Sequence, residues 1–80
     1  MSTATKVTQI LERIAETDEV RRNPDVALFD DGVLDSFGLV ELMVALSEEF
    51  GVDISPAEVE REQWATPARV IAYMEARIGV

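Results

Sequence analysis

The chain contains neither cysteine nor histidine. Without cysteine there can be no disulfide framework, and no thiolate can act as ligand or nucleophile. Without histidine the usual general base and the commonest metal ligand are missing. Cations are scarce: seven Lys and Arg stand against sixteen acids, for a net charge of −9. A nucleic acid or an anionic membrane surface is therefore a poor partner. Long apolar runs are also absent. The longest, Leu42 to Leu46, falls far short of the ~20 residues of a bilayer crossing, so no direct membrane insertion is expected. No basic region followed by an apolar stretch opens the chain, and a cytoplasmic protein is the expectation. No alternating pattern long enough for a sheet occurs, nor any internal repeat, linker or low-complexity segment.

Eighty residues, 1–80, make a single small domain with a modest core. Val7, Ile10, Leu11 and Ile14 fall at i, i+3, i+4 and i+7, which predicts a first helix from a Ser2 or Thr3 cap to about Ala15. Residues 17–34 read as a long connection, broken by Arg21-Arg22-Asn23-Pro24 and turned at Asp30-Asp31-Gly32. Val20, Val26, Leu28, Phe29, Val33 and Leu34 can pin it down, with Phe29 as a core anchor. Ser55-Pro56-Ala57-Glu58 has the form of a helix start, with cap, proline at the first position and a capping-box glutamate. It predicts a short third helix to about Glu60. Thr66-Pro67 opens the last helix, whose stripe is Val70, Ile71, Met74 and Ile78, and Trp64 closes one end of the core. The expected fold is all-α, a small four-helix bundle with a long loop between its first two helices and a short third helix.

The second helix carries the functional signal. Asp35 is a suitable N-cap, Ser36 follows in the first turn, and Gly51 is the stop after Phe50. At 100° per residue, Leu39, Leu42, Met43, Leu46 and Phe50 fill one uninterrupted apolar arc, the core face. Ser36, Phe37, Val40, Glu41, Val44, Ser47 and Glu48 fill the neighbouring arc. A surface helix needs one apolar stripe, so the second predicts a docking face beside a serine. The acidic balance suits a basic protein partner, though it equally serves to keep a small protein in solution.

Ser36 itself lacks the means of self-activation. A serine nucleophile needs a base and an orienting acid, and neither a histidine nor a lysine near in sequence is present. No G-x-S-x-G elbow and no P-loop occurs. Asp30 to Glu41 has the span of a calcium loop, but Gly32, Leu34 and Asp35 occupy its third, fifth and sixth positions, which excludes that motif. No metal site and no catalytic residue is predicted. An exposed serine at the positive end of a helix dipole is well placed to receive a phosphate from another protein. The plainer reading is an ordinary first-turn serine.

Leu34-Asp35-Ser36 followed by Val40-Glu41-Leu42 resembles the attachment motif of acyl and peptidyl carrier proteins. Thr17-Asp18-Glu19-Val20-Arg21, the run Leu28 to Gly38, and Arg61-Glu62-Gln63-Trp64-Ala65-Thr66-Pro67 resemble one branch, the stand-alone D-alanyl carrier protein-like aminoacyl carriers. The resemblance implies a bundle of the acyl carrier protein type, in agreement with the helix count. It implies covalent 4′-phosphopantetheine on Ser36, added from coenzyme A by a phosphopantetheinyl transferase. An adenylating ligase would load an acyl or aminoacyl group onto the thiol as a thioester, for a downstream acyltransferase to take. Asp35, Phe37, Val40, Glu41, Val44, Ser47 and Glu48 are the expected partner-binding set on a monomer that is not an enzyme. Six arginines to one lysine, with abundant alanine and valine, suit a GC-rich genome, and so a role in polyketide or peptide natural-product (antibiotic) biosynthesis. The alternative is D-alanylation of teichoic acids. A more distant one is an unmodified acidic interaction module that binds through Phe37, Val40 and Val44.

Overall fold

Residues 2–55 and 57–79 are described by the computed structural model. Helix α1, Thr3–Ala15, is capped by Ser2, whose Oγ accepts the Thr5 N–H at 3.1 Å. It buries Val7, Ile10 and Leu11, with Ile14 packed at the margin of the core. The predicted stripe is thus the buried one. The helix ends at Glu16, which is left-handed at φ 57°. The other positive-φ residues described are Gly32, Gly51 and Gly79, where the missing Cβ makes this backbone cheap.

The connection after α1 is not irregular throughout. It contains a short helix, α2, Glu19–Arg22. Asp18 organises it: its carbonyl accepts from the Arg21 and Arg22 N–H groups, and its carboxylate meets both arginine side chains. Val20 is buried beneath, and Arg21 reaches Glu12 on α1 at 3.3 Å. The rest of the loop is tied down by backbone bonds. Leu28 N–H donates to Ala65 O, Leu34 N–H to Leu28 O, and Ala68 N–H to Pro24 O. Leu28 is the fully buried anchor of this loop. Phe29 is only half-buried, with the Arg61 guanidinium 4.8 Å above its ring.

Helix α3 runs over Ser36–Phe50, and Gly51 ends it in the left-handed conformation at φ 65°. Leu42, Met43 and Leu46 are buried, and Leu39 and Phe50 pack partly against the core. That is the predicted core arc. The short third helix is displaced. Ser55 Oγ accepts the Ala57 N–H and Ser55 O accepts the Glu58 N–H, but the chain leaves this turn without forming a helix. Pro56, expected at a first helical position, lies outside the described residues. A 3₁₀ turn forms later instead, at Arg61–Trp64, where Gln63 Oε1 takes the Glu60 N–H at 3.0 Å. The cap-like letters at 55–58 precede no i, i+3, i+4 apolar stripe, so a helix there would bury nothing. Trp64, with no exposed surface, supplies the burial that sets the turn at 61–64.

Helix α4, Pro67–Ile78, has Thr66 as N-cap, with Oγ1 accepting the Arg69 N–H at 3.2 Å. Its Val70 and Met74 are fully buried. Helix α1 packs on both α3 and α4, so the described residues form an all-α bundle of four helices and one 3₁₀ turn around a single core. Trp64 stacks edge-on against Tyr73, with centroids 5.4 Å apart. Its Nε1–H is buried and has no partner among the described residues, at a cost of about 1–3 kcal/mol. Burying the indole contributes about 4–6 kcal/mol, which outweighs that loss.

Leu46→Ala is expected to lower unfolding free energy by about 2–5 kcal/mol, read as a fall in the urea midpoint at constant slope. Glu16→Gly is expected to act in the other direction, by about 1 kcal/mol, because it relieves a left-handed non-glycine residue. A midpoint that falls for the glycine variant would contradict the strain assigned to Glu16.

Candidate functional site at the head of helix α3

Asp35 is extended (φ −104°, ψ −174°), and its Oδ1 accepts the Gly38 N–H at 2.7 Å while its carbonyl accepts the Leu39 N–H. The predicted N-cap is therefore formed. Gly38 is buried under this cap. A Cβ there would lie 3.1 Å from Leu34 Cδ2 and 3.4 Å from the Asp35 Oδ1 that makes the cap bond. Glycine at this position lets Leu34 close against the first turn and the carboxylate stay in register. Sequence reasoning gave Gly38 no such role. A glycine inside a first helical turn, where it disfavours the helix, was the available signal.

Ser36 is the first residue of α3 and is exposed. Its Oγ makes no hydrogen bond among the described residues, and the Ser36 and Phe37 N–H groups likewise have no protein acceptor there. The site thus offers an accessible hydroxyl, two unpaired donors and the positive end of a fifteen-residue helix. These features fit a phosphodiester at Ser36 Oγ. Nothing at the site activates the hydroxyl from within. Among the described residues no group of three or more His, Cys, Asp or Glu is placed to hold a metal ion.

The second face of α3 is open. Phe37 is 72% exposed, and Val40 and Val44 are each 52% exposed. Phe37, Val40, Glu41, Val44 and Glu48 line one groove, as the arc predicts. Ser36, at one border of the arc, does not line it, nor do Asp35 and Ser47 of the expected partner-binding set. Asp35 is engaged in the cap. Ser47 is half-buried, and its carbonyl accepts the Gly51 N–H that ends the helix. Eleven residues beyond Ser36, Ser47 lies about 16 Å further along the axis. The groove also takes in residues that the helical-wheel argument missed: Ala45 and Glu49 on α3, and Ile10 and Arg13 across from them on α1. A single-helix projection cannot show what a neighbouring helix contributes. No described helix is long and apolar enough to cross a membrane.

Comparison with known proteins agrees with this geometry. The family model described as the phosphopantetheine attachment site matches residues 5–74, a span that includes Ser36. The chain is 43% identical to the D-alanyl carrier protein of Listeria monocytogenes over 70 residues, which cover 88% of this chain and 90% of that protein. It is 43% identical over 70 residues to that of Bacillus cereus, covering 88% and 89%. With that of Bacillus velezensis it shares 39% identity over 66 residues, covering 82% and 85%. With such a match across most of its length, this chain belongs to the phosphopantetheine-attachment family, as a carrier that bears 4′-phosphopantetheine covalently and is served by other enzymes rather than being one.

Proposed function

We propose that Ser36 is the attachment residue and that the chain is an aminoacyl carrier. The observation that supports this best is the placement of Ser36: an exposed hydroxyl without a partner among the described residues, at the head of α3 and beside the exposed Phe37. The arm supplies a thiol that holds the cargo as a thioester. The chain's own residues do the rest. Asp35 keeps the first turn wound and Ser36 accessible, and the unpaired Ser36 and Phe37 N–H groups favour a phosphodiester. A phosphopantetheinyl transferase adds the arm, an adenylating ligase loads it, and an acyltransferase receives the cargo. Coenzyme A and ATP, the donors for the first two steps, are cytoplasmic pools, which supports loading in the cytoplasm.

D-alanine is the cargo we favour, since the relatives compared above are named D-alanyl carrier proteins. Those names support the teichoic acid reading over natural-product biosynthesis, for which the arginine bias of the composition is the remaining argument. The mass of the protein isolated from its native host discriminates between them. An alanyl increment on the arm, released and shown to be the D enantiomer by chiral analysis, supports the first, and a different acyl group overturns it.

The docking surface that goes with this role is the open face of α3. Burial of Phe37, Val40 and Val44 against a partner supplies much of the affinity, at about 1.5–3 kcal/mol for each large side chain fully buried. The rim carboxylates Glu41 and Glu48 set encounter rate and orientation toward a basic surface.

Ser36→Ala is expected to keep its thermal melt and to gain no mass on incubation with coenzyme A and a broad-specificity phosphopantetheinyl transferase, whereas the wild type gains one arm. An arm on the alanine variant would assign the attachment elsewhere. With the arm pre-attached, Glu41→Lys combined with Glu48→Lys is expected to slow loading strongly at low salt, and the deficit should shrink as salt rises. Val44→Ala should slow it at every salt concentration. Unchanged rates in both variants, with folding intact, would move the docking surface to another face.

A further inference from the structure

The groove beside α3 is built from two neighbouring rows of that helix. Val40, Val44 and Glu48 follow one another at i+4, and so do Phe37, Glu41, Ala45 and Glu49; all of them line it. The first row begins one step earlier, at Ser36. Rows at i+4 form parallel ridges along a helix, so the furrow between these two leads from the head of α3 to its last turn. Ile10 and Arg13 of α1 close the far side, beyond the Phe37 row. The groove holds about 590 Å³, within the range of small-molecule sites.

The furrow changes character along its length. Near Ser36 its walls are Phe37 and Val40, followed by Glu41, Val44 and the small Ala45. Glu48 and Glu49, both exposed, stand at the far end. Neither has an ion-pair partner among the described residues, and the last turn of α3 holds no basic residue. Both acids sit at the negative end of the helix dipole, which favours a cation there. Arg13, the one cation among the lining residues, is outnumbered by three carboxylates. The furrow thus runs from a positive helix end, past a mainly apolar stretch, to a negative end that nothing in the chain neutralises.

We infer that this furrow is the resting site of the chain's own loaded arm, with the α-ammonium of an aminoacyl cargo held at Glu48 and Glu49. The inference rests on the attachment at Ser36 proposed above. A phosphopantetheine arm bearing an amino acid has its chemistry in the same order as the furrow. An anionic phosphodiester comes first, then a body of methyl-bearing carbons and two amides, then a thioester beside an ammonium. The lengths agree as well. Glu48 lies twelve residues beyond Ser36, about 18 Å along the axis. From Ser36 Oγ to the cargo nitrogen there are roughly seventeen bonds, about 20 Å when extended like a main chain. Glutamate side chains lean toward the helix N-terminus, which brings the carboxylates closer to the arm. The tether keeps the cargo at an effective concentration of about millimolar, so weak contacts suffice. The unloaded arm ends in a neutral thiol and lacks the group that the far end holds. Cargo therefore decides whether the strip of Phe37, Val40 and Val44 is covered.

The test is NMR of the full, isotope-labelled chain with three arms installed by a broad-specificity phosphopantetheinyl transferase. One arm ends in the free thiol. The second is its alanyl amide analogue, with nitrogen in place of sulfur, and the third is that analogue with the alanyl nitrogen acetylated. Between the thiol and alanyl forms, amide shifts should change at Val44, Ala45, Glu48 and Glu49, and across the groove at Arg13. The acetylated form should show these changes reduced at least threefold, and so should the alanyl form of Glu48→Gln combined with Glu49→Gln. Added salt should shrink them in the wild type. Changes confined to the residues next to Ser36, changes on another face of the bundle, or changes equal for the alanyl and acetylated forms overturn the inference alone. Mass analysis of the same samples reports on the attachment. A chain that gains no arm, or gains it elsewhere than at Ser36, overturns the attachment reading, and the inference falls with it.

Discussion

The bond from the Gly38 N–H to Asp35 Oδ1, 2.7 Å long, is the contact on which the functional end of this protein depends. It satisfies one of the orphan donors of α3 and fixes where that helix begins. Everything at the site is counted from that point. Ser36 becomes the first helical residue, and Phe37, Val40 and Val44 fall on one open strip, while Leu42, Met43 and Leu46 turn inward. A helix begun one residue later would leave Ser36 outside the first turn. The cap in turn depends on the absence of a side chain at Gly38, because a Cβ there would press on both Leu34 and the capping oxygen.

Helix α3 is apolar on two sides for two different reasons. Its inner side joins the core with α1, and the α1–α4 contact completes that core. Its outer side leaves three large apolar residues in water. Each would be more stable buried, at about 25 cal/mol per Å² of apolar surface removed from water, so the free protein is poised to gain from association. A carrier visits several enzymes in turn, and an exposed apolar strip with a charged rim permits binding that is specific and still reversible. The strip lies beside Ser36, so on the proposed function docking and presentation of that residue are one geometric event.

Arginines hold the less regular stretch before α4 in place. Among its described residues the stretch 52–66 has one short 3₁₀ turn, and α4 reaches over it with Arg69 to Glu62 O and Arg77 to Asp53 O and Glu58. Arg61 fastens the same turn to the loop at Phe29. These exposed contacts each contribute little, but Arg77 supplies a donor to Asp53 O, which has no backbone partner among the described residues, and Arg69 adds a second donor to Glu62 O, which already takes the Ala65 N–H. Arg13 stands apart from this work, at the edge of the open face.

The sequence by itself determined the local elements whose signals agree with one another. The stripe of α1, the Asp35 cap, the Gly51 stop and the Thr66-Pro67 start each combine a periodic apolar face with a matching terminus, and each forms as read. Ser36 and the two arcs of α3 were legible for the same reason: one helix of known pitch fixes the azimuth of every residue on it. Tertiary structure decided the rest. The cap-like letters at 55–58 form only a turn, because no apolar stripe follows them, and the burial of Trp64 carries the 3₁₀ turn to 61–64. Asp18 nucleates α2 through contacts that include Glu12 of α1 by way of Arg21. The far wall of the groove beside α3 comes from Ile10 and Arg13, twenty-three residues and more before Ser36 in the sequence. Periodicity reports how a helix faces its core, whereas the partner of its other face is set by which helix lies alongside, and that is a property of the packed bundle alone.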